Sequence, residues 1–183
     1  MKNIILVGFM GTGKSVVGKR LAKQLNMKFV STDDIIEDRE KRPISEIFAK
    51  SGEPYFRKIE KEVVKEAADS ENVVIAAGGG AVLDEDNITN LKKKGVIVCL
   101  NATPEAVYER TKKYKHRPLL NVDDPISKIK ELMDKRAPYY AKADHQIDTA
   151  GKTVEEVTAE IIKVYQRTPS PRRGEGRGEG KSE

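Results

Sequence analysis

The octapeptide Gly8-Phe9-Met10-Gly11-Thr12-Gly13-Lys14-Ser15 constrains the fold more than any other part of the 183-residue chain. It follows an apolar run of strand length, residues 4–9, and precedes residues 16–25, whose apolar positions recur at helical spacing. Strand, glycine-rich loop and helix in that order make a cradle for phosphate oxygens. The glycines let successive backbone N–H groups point inward, and the helix N-terminus adds partial positive charge. Lys14 is then placed to reach the terminal phosphates and the Ser15 hydroxyl to ligate Mg²⁺. A plain glycine-rich turn without a ligand is the blander reading, and it leaves that order of elements unexplained.

The rest of the chain alternates in the same way. Residues 29–31, 73–77 and 96–100 are further apolar runs of strand length, 145–149 is a short fifth, and stretches of helical spacing separate them. This predicts an α/β fold of three layers, with a central parallel five-stranded sheet flanked by helices on both faces. Thr103-Pro104-Glu105 offers a cap with proline at the first helical position, and Thr153-Val154-Glu155-Glu156 a capping box opening a helix over 154–167. Gly95, after the lysine-rich end of 87–94, is expected to stop a helix. Residues 1–167 are expected to form a single domain. Within it, 112–124 is too polar and proline-marked for a core element and is expected to be a mobile lid. Residues 168–183, with Pro-Ser-Pro-Arg-Arg and Gly-Glu-Gly-Arg-Gly-Glu-Gly, are expected to be a disordered low-complexity tail.

Composition removes several classes of function. Hydrophobic residues at 38% with charged residues at 34% exclude wholesale disorder and an integral membrane protein. The apolar runs are of strand length, so no membrane span and no secretory leader is expected, and the cytoplasm is the expected location. The net charge of +5 comes from Lys and Arg interspersed with Asp and Glu, and there is no Trp, so nucleic acid is not an expected partner. Cys99, in an apolar run, is expected to be a buried, inert thiol.

A phosphate cradle does not name a reaction, since switch GTPases, ATP-driven machines and small-molecule kinases share it. No Asn-Lys-x-Asp stretch is present to read guanine. More informative is Val73-Val74-Ile75-Ala76-Ala77-Gly78-Gly79-Gly80-Ala81, a buried-strand pattern that breaks into three glycines, as though something must approach that backbone. Together with Ser31-Thr32-Asp33-Asp34, Phe56-Arg57-Lys58-Ile59-Glu60, Arg117-Pro118-Leu119-Leu120 and Arg136-Ala137-Pro138-Tyr139-Tyr140, it gives residues 1 to about 167 a specific resemblance. In these motifs the chain resembles shikimate kinase, of the nucleoside monophosphate kinase-like group of P-loop kinases.

The resemblance implies ATP-dependent phosphorylation of the 3-hydroxyl of shikimate, in aromatic amino-acid biosynthesis, by a monomer using Mg²⁺. It implies that Arg57 and Arg136 hold the substrate carboxylate, a task that suits the planar donors of arginine. Asp33 is expected to orient the reacting hydroxyl and take its proton, and Gly78, Gly79 and Gly80 to line the substrate site within about 33–60 and the glycine loop. Backbone N–H groups of these glycines are expected to face the substrate. Arg117 matches a lid arginine that brings positive charge to the transferring group as water is excluded. The ATP side takes Gly11, Thr12, Gly13, Lys14, Ser15, Val16, Arg110, Arg117 and Lys152, with Arg110 against adenine and Ser15 on the metal.

Two positions depart from the family. Ser31 stands where an aspartate commonly helps hold Mg²⁺ through water, and Val16 replaces a hydroxyl residue that contacts phosphate. The alternatives are another small-molecule kinase, such as a gluconate kinase, and an ATP-binding regulator without catalysis.

Overall fold

The structure is a computed structural model that describes residues 2–113 and 122–168. Among these, five parallel strands form one sheet in the order β2-β3-β1-β4-β5: β1 (Asn3–Val7), β2 (Lys28–Ser31), β3 (Val73–Ala76), β4 (Gly95–Asn101) and β5 (His145–Asp148). The central strand β1 is buried throughout. Its side chains alternate between two cores, as a strand buried on both faces requires. Ile4 and Leu6 join Val17 and Leu21 of α1 (Lys14–Leu25) and Val157 and Ile161 of α7 (Val154–Arg167). Ile5 and Val7 join Val64 of α3 (Ile44–Asp69), Leu91 of α4 (Glu85–Lys94) and Ile129 of α6 (Pro125–Tyr140).

The strand and helix expectations hold to within a few residues, and two caps act as expected. Thr103 accepts from Ala106 N–H ahead of α5 (Pro104–Thr111), and Thr153 and Glu156 form a reciprocal capping box on α7. Cys99 is fully buried, and burial pushes its thiol up to about 12. Gly95 stops the helix as expected, standing at the C-cap of α4. Its backbone is extended (φ −140°, ψ 171°), and it begins β4 directly after α4. Its missing side chain matters because a Cβ there would run into Ile5 Cδ1.

A smaller cluster, Ile36, Ile47, Phe56, Ile59 and Val63, fastens α2 (Thr32–Glu40) to α3. Within α3, Gly52 leaves the helical region (φ 80°, ψ 167°), a conformation open to glycine. Pro54 follows in the first turn of the continuing helix, where its missing N–H is tolerated. On the N-terminal side of the break, Ile44, Ser45 and Phe48 line a cavity shared with the glycine loop after β3. No helix of the described residues is long and apolar enough to cross a membrane. The core of the expected lid, including Arg117, and all of the expected tail beyond Thr168 lie outside the described residues.

Candidate active site

Between β1 and α1 the chain takes the conformations that its glycines allow. Gly8 (φ 138°), Gly11 (φ 75°) and Gly13 (φ 96°) all occupy positive φ, and Gly13 stands at the N-cap of α1. Thr12 is buried and its hydroxyl donates to Phe9 O at 2.8 Å, so its side chain braces the loop from within. Lys14 Nζ donates to Gly8 O at 2.8 Å and Phe9 O at 2.9 Å, laying its ammonium across the loop. Ser15 and Val16 stand exposed on the first turn of α1. Arg110 of α5 reaches the rim: Nη1 donates to Gly11 O at 3.2 Å and Thr149 Oγ1 at 3.1 Å, and Nη2 to Thr149 O at 3.3 Å. Lys152, just beyond Thr149, is engaged with Glu160 of α7 at 2.8 Å.

Beside this cradle lies a cavity of about 460 Å³. Asp33 from α2, Arg57 and Glu60 from α3, Gly78, Gly79 and Gly80 after β3, Arg136 from α6 and Met10 of the cradle loop all face it. Six positions scattered over a hundred residues of sequence, Asp33, Arg57, Gly78, Gly79, Gly80 and Arg136, therefore meet in one space. Phe48 and Phe56, with ring centroids 4.7 Å apart, form an apolar wall. Gly79 joins cavity to cradle. A Cβ built on it would lie 3.5 Å from Gly8 O and 3.6 Å from both Met10 N and Arg136 Nη1.

Each arginine is held in place. Arg57 Nη1 pairs with Glu60 at 2.7 Å, and its Nε and Nη2 with Glu53 at 3.1 and 3.0 Å, while the guanidinium lies 5.3 Å from the Phe56 ring centroid. Arg136, only 9% exposed, donates to Gly79 O at 3.3 Å and lies 5.3 Å from the Phe9 ring centroid. Glu60 is 2% exposed, and burial pushes its carboxyl above the usual range against the opposing pull of Arg57. For Arg57 the balance falls the other way. Burial opposes its charge, but Glu60 and Glu53 together hold its pKa above the ordinary value. The pair is thus a firmly charged arginine leaning on a carboxylate that burial disfavours.

Within the triple glycine, one of the N–H groups expected to face a substrate is already taken. Gly78 N–H is taken by the buried Thr32 hydroxyl at 2.9 Å, and Gly79 presents its carbonyl to Arg136 and Tyr140. Space is the stronger reason for glycine here. A Cβ on Gly78 would sit 2.7 Å from Asp33 Oδ1 and 2.9 Å from Glu60 Oε1, and one on Gly80 would strike the Arg57 guanidinium. Ser31 also has a defined task, since its hydroxyl accepts Asp34 N–H at 3.2 Å and caps α2. Glu60, Thr32 and Tyr140 were passed over in the sequence. All three stood inside the motifs named above, and the signal available was a hydroxyl next to Asp33, a carboxylate three residues from Arg57 and a tyrosine one helical turn from Arg136.

A parallel sheet with a phosphate cradle after its central strand, opening onto a pocket with two arginines and an aspartate, defines a P-loop phosphotransferase acting on a small acceptor. The shikimate kinase family model matches residues 10–166. The chain is 53% identical over 167 residues to the shikimate kinase of Thermodesulfovibrio yellowstonii, covering 91% of this chain and 96% of that one. It superposes on the structure of shikimate kinase from Acinetobacter baumannii in complex with shikimate with a TM-score of 0.88 at 36% identity, covering 91% and 94% of the two chains. A gluconokinase from Sinorhizobium meliloti shares the fold alone, at TM-score 0.54 and 17% identity. The chain belongs to the shikimate kinase family.

Proposed function

We infer that the protein transfers the γ-phosphoryl group of ATP to the 3-hydroxyl of shikimate, giving shikimate 3-phosphate and ADP in aromatic amino-acid biosynthesis. The observation that carries this is the convergence of Asp33, Arg57 and Arg136 on one cavity whose wall, at Gly79 and Met10, is shared with the cradle. Shikimate offers one carboxylate and three hydroxyls on a small ring. In this reading the two guanidinium groups take the carboxylate and fix the ring's orientation. Asp33 accepts a hydrogen bond from the reacting hydroxyl, aims it in line with the γ-phosphate and receives its proton. Because phosphoryl transfer passes through a loose transition state, this positioning matters more than strong basicity.

On the nucleotide side, the N–H groups of the Gly11–Ser15 stretch and the α1 N-terminus take phosphate oxygens. Lys14 leaves the carbonyls of Gly8 and Phe9 for the terminal phosphates. Arg110 and Lys152 border the space beyond Thr149, where the adenosine would lie, and Arg117 would act from the lid. The metal reading is Mg²⁺ arriving with ATP. Ser15, exposed on the first turn of α1 beside the cradle, would be its protein ligand. When bound, the cation would supply positive charge against the phosphate oxygens. A monomeric, cytoplasmic enzyme goes with this reading.

ADP release measured with Mg²⁺ and either shikimate or gluconate tests the proposal. Turnover is expected with shikimate alone and is expected to vanish in Lys14→Ala. Gluconate turnover without shikimate turnover would assign another kinase, and ATP binding with no turnover on either would assign a regulator.

A further inference from the structure

The Gly79 carbonyl is where the substrate pocket, the cradle and α6 meet, and two side chains of α6 share it. Tyr140 Oη donates to it at 2.7 Å, and Arg136 Nη1 at 3.3 Å. Residues four apart on a helix lie on one face, so a single turn of α6 delivers both donors. The oxygen can accept from two directions, yet the two bonds are unequal: one is short, the other near the limit of a hydrogen bond. Tyr140 is 8% exposed, and burial pushes its phenol up to about 12, so it stays a donor across the physiological range.

We propose that Tyr140 is a positioning residue that keeps the Gly79 carbonyl satisfied and so releases Arg136 to bind the substrate carboxylate. The inference rests on the shikimate kinase reading given above. A buried carbonyl without a donor is costly, so a protein lacking the tyrosine hydroxyl would need Arg136 to stay on Gly79 O. The guanidinium would then be divided between a structural and a binding task. With Tyr140 present, Arg136 can turn from Gly79 O toward the incoming anion, still stacked on Phe9, while the glycine loop keeps its shape. The commitment acts on substrate affinity, because the competition is over the ground-state contact of Arg136 with the carboxylate.

The test is Tyr140→Phe, which keeps the ring and removes the hydroxyl. KM for shikimate is expected to rise about fivefold to tenfold, the effect of one ordinary hydrogen bond, with kcat within about twofold of the parent and KM for MgATP unchanged. In an Arg136→Lys background the same change is expected to alter shikimate KM less than about twofold, because the residue it acts through is gone. A thermal melt of each variant checks folding. A second measurement needs no variant: in parent protein carrying carbon-13 in the glycine carbonyls, the Gly79 resonance is expected to keep its hydrogen-bonded shift when shikimate binds. Unchanged shikimate KM in a folded Tyr140→Phe protein, an equal rise in both KM values, full additivity with Arg136→Lys, or loss of that shift on binding would each overturn the inference. A parent protein that does not phosphorylate shikimate overturns the functional reading and this inference with it, whereas an active parent with an indifferent variant overturns this inference alone.

Discussion

Replacing Gly78 with alanine should separate folding from catalysis. The backbone there lies outside the positive-φ region, so alanine adds no conformational strain, and Gly78 N–H can still donate to Thr32. The new methyl would lie 2.7 Å from Asp33 Oδ1 and 2.9 Å from Glu60 Oε1, where ordinary contact begins at 3.4 Å. Asp33 must therefore retreat by about 0.7 Å and Glu60 by about 0.5 Å. Both are tips of side chains and can move by rotation, at a cost of about 1 kcal/mol for off-rotamer carboxylates. The lower chain entropy of alanine in the unfolded state offsets about 0.4–1 kcal/mol of that. Net stability should stay within about 1 kcal/mol, a shift of roughly 3 °C in Tm. Catalysis has no such offset. A displacement approaching 1 Å at the group that aims the reacting oxygen costs up to about a hundredfold, so kcat should fall roughly tenfold to a hundredfold. Coupled ADP release at saturating shikimate, with a thermal melt of the same preparation, reads both quantities. A variant with kcat within twofold of the parent would refute the assignment of Asp33. A variant that loses more than about 10 °C in Tm would show the glycine to be needed for folding instead.

The buried Glu60 makes a pH-dependent prediction. Its folded pKa lies above its ordinary value of 4.5, so the protonated form is favoured by folding, and the stability this contributes is full below 4.5 and lost as pH rises through the folded pKa. Glu60→Gln should therefore match the parent at acid pH and become the more stable of the two toward neutrality in denaturant titrations, and a difference that shrinks with rising pH would contradict this. Ser31→Ala removes the α2 cap at a cost of about 1 kcal/mol, read as a fall of roughly 3 °C in Tm. Gly95→Ala drives a methyl toward Ile5 and the Leu91 and Asn3 carbonyls, an overpacking of about 1–3 kcal/mol, with shikimate turnover preserved below the melting range.

The architecture was legible because its signals are local. The strand Asn3–Val7, the loop after it and α1 are adjacent in sequence, and the caps at Thr103 and Thr153 each act within three residues. At Gly95 the rule gave the helix stop but not the physical reason for the glycine. A glycine after a lysine-rich helix end commonly stops the helix in a left-handed conformation, but here β1 packs so close that the glycine serves as clearance for Ile5. The break at Gly52 escaped notice because the apolar spacing continues on both sides of it, and only the backbone records the turn.

The site was legible by another route, and unevenly. The residues expected to touch substrate follow from family motifs, whereas the residues that hold them follow from three-dimensional packing that no spacing rule gives. Thr32 is separated from Gly78 by 46 residues and Tyr140 from Gly79 by 61, yet each makes a short hydrogen bond to the glycine loop. These contacts change what the glycines are for. Alone, three successive glycines make a floppy segment, which is a poor wall for a site that must place a hydroxyl to within a fraction of an ångström. Here the freedom is removed from outside, by Thr32 on the N–H of Gly78 and by α6 on the carbonyl of Gly79, while the absence of side chains leaves room for Asp33, Glu60 and Arg57 to crowd against the backbone. The loop is rigid because of its neighbours and thin because of its composition, and a phosphoryl-transfer site between two ligands needs both.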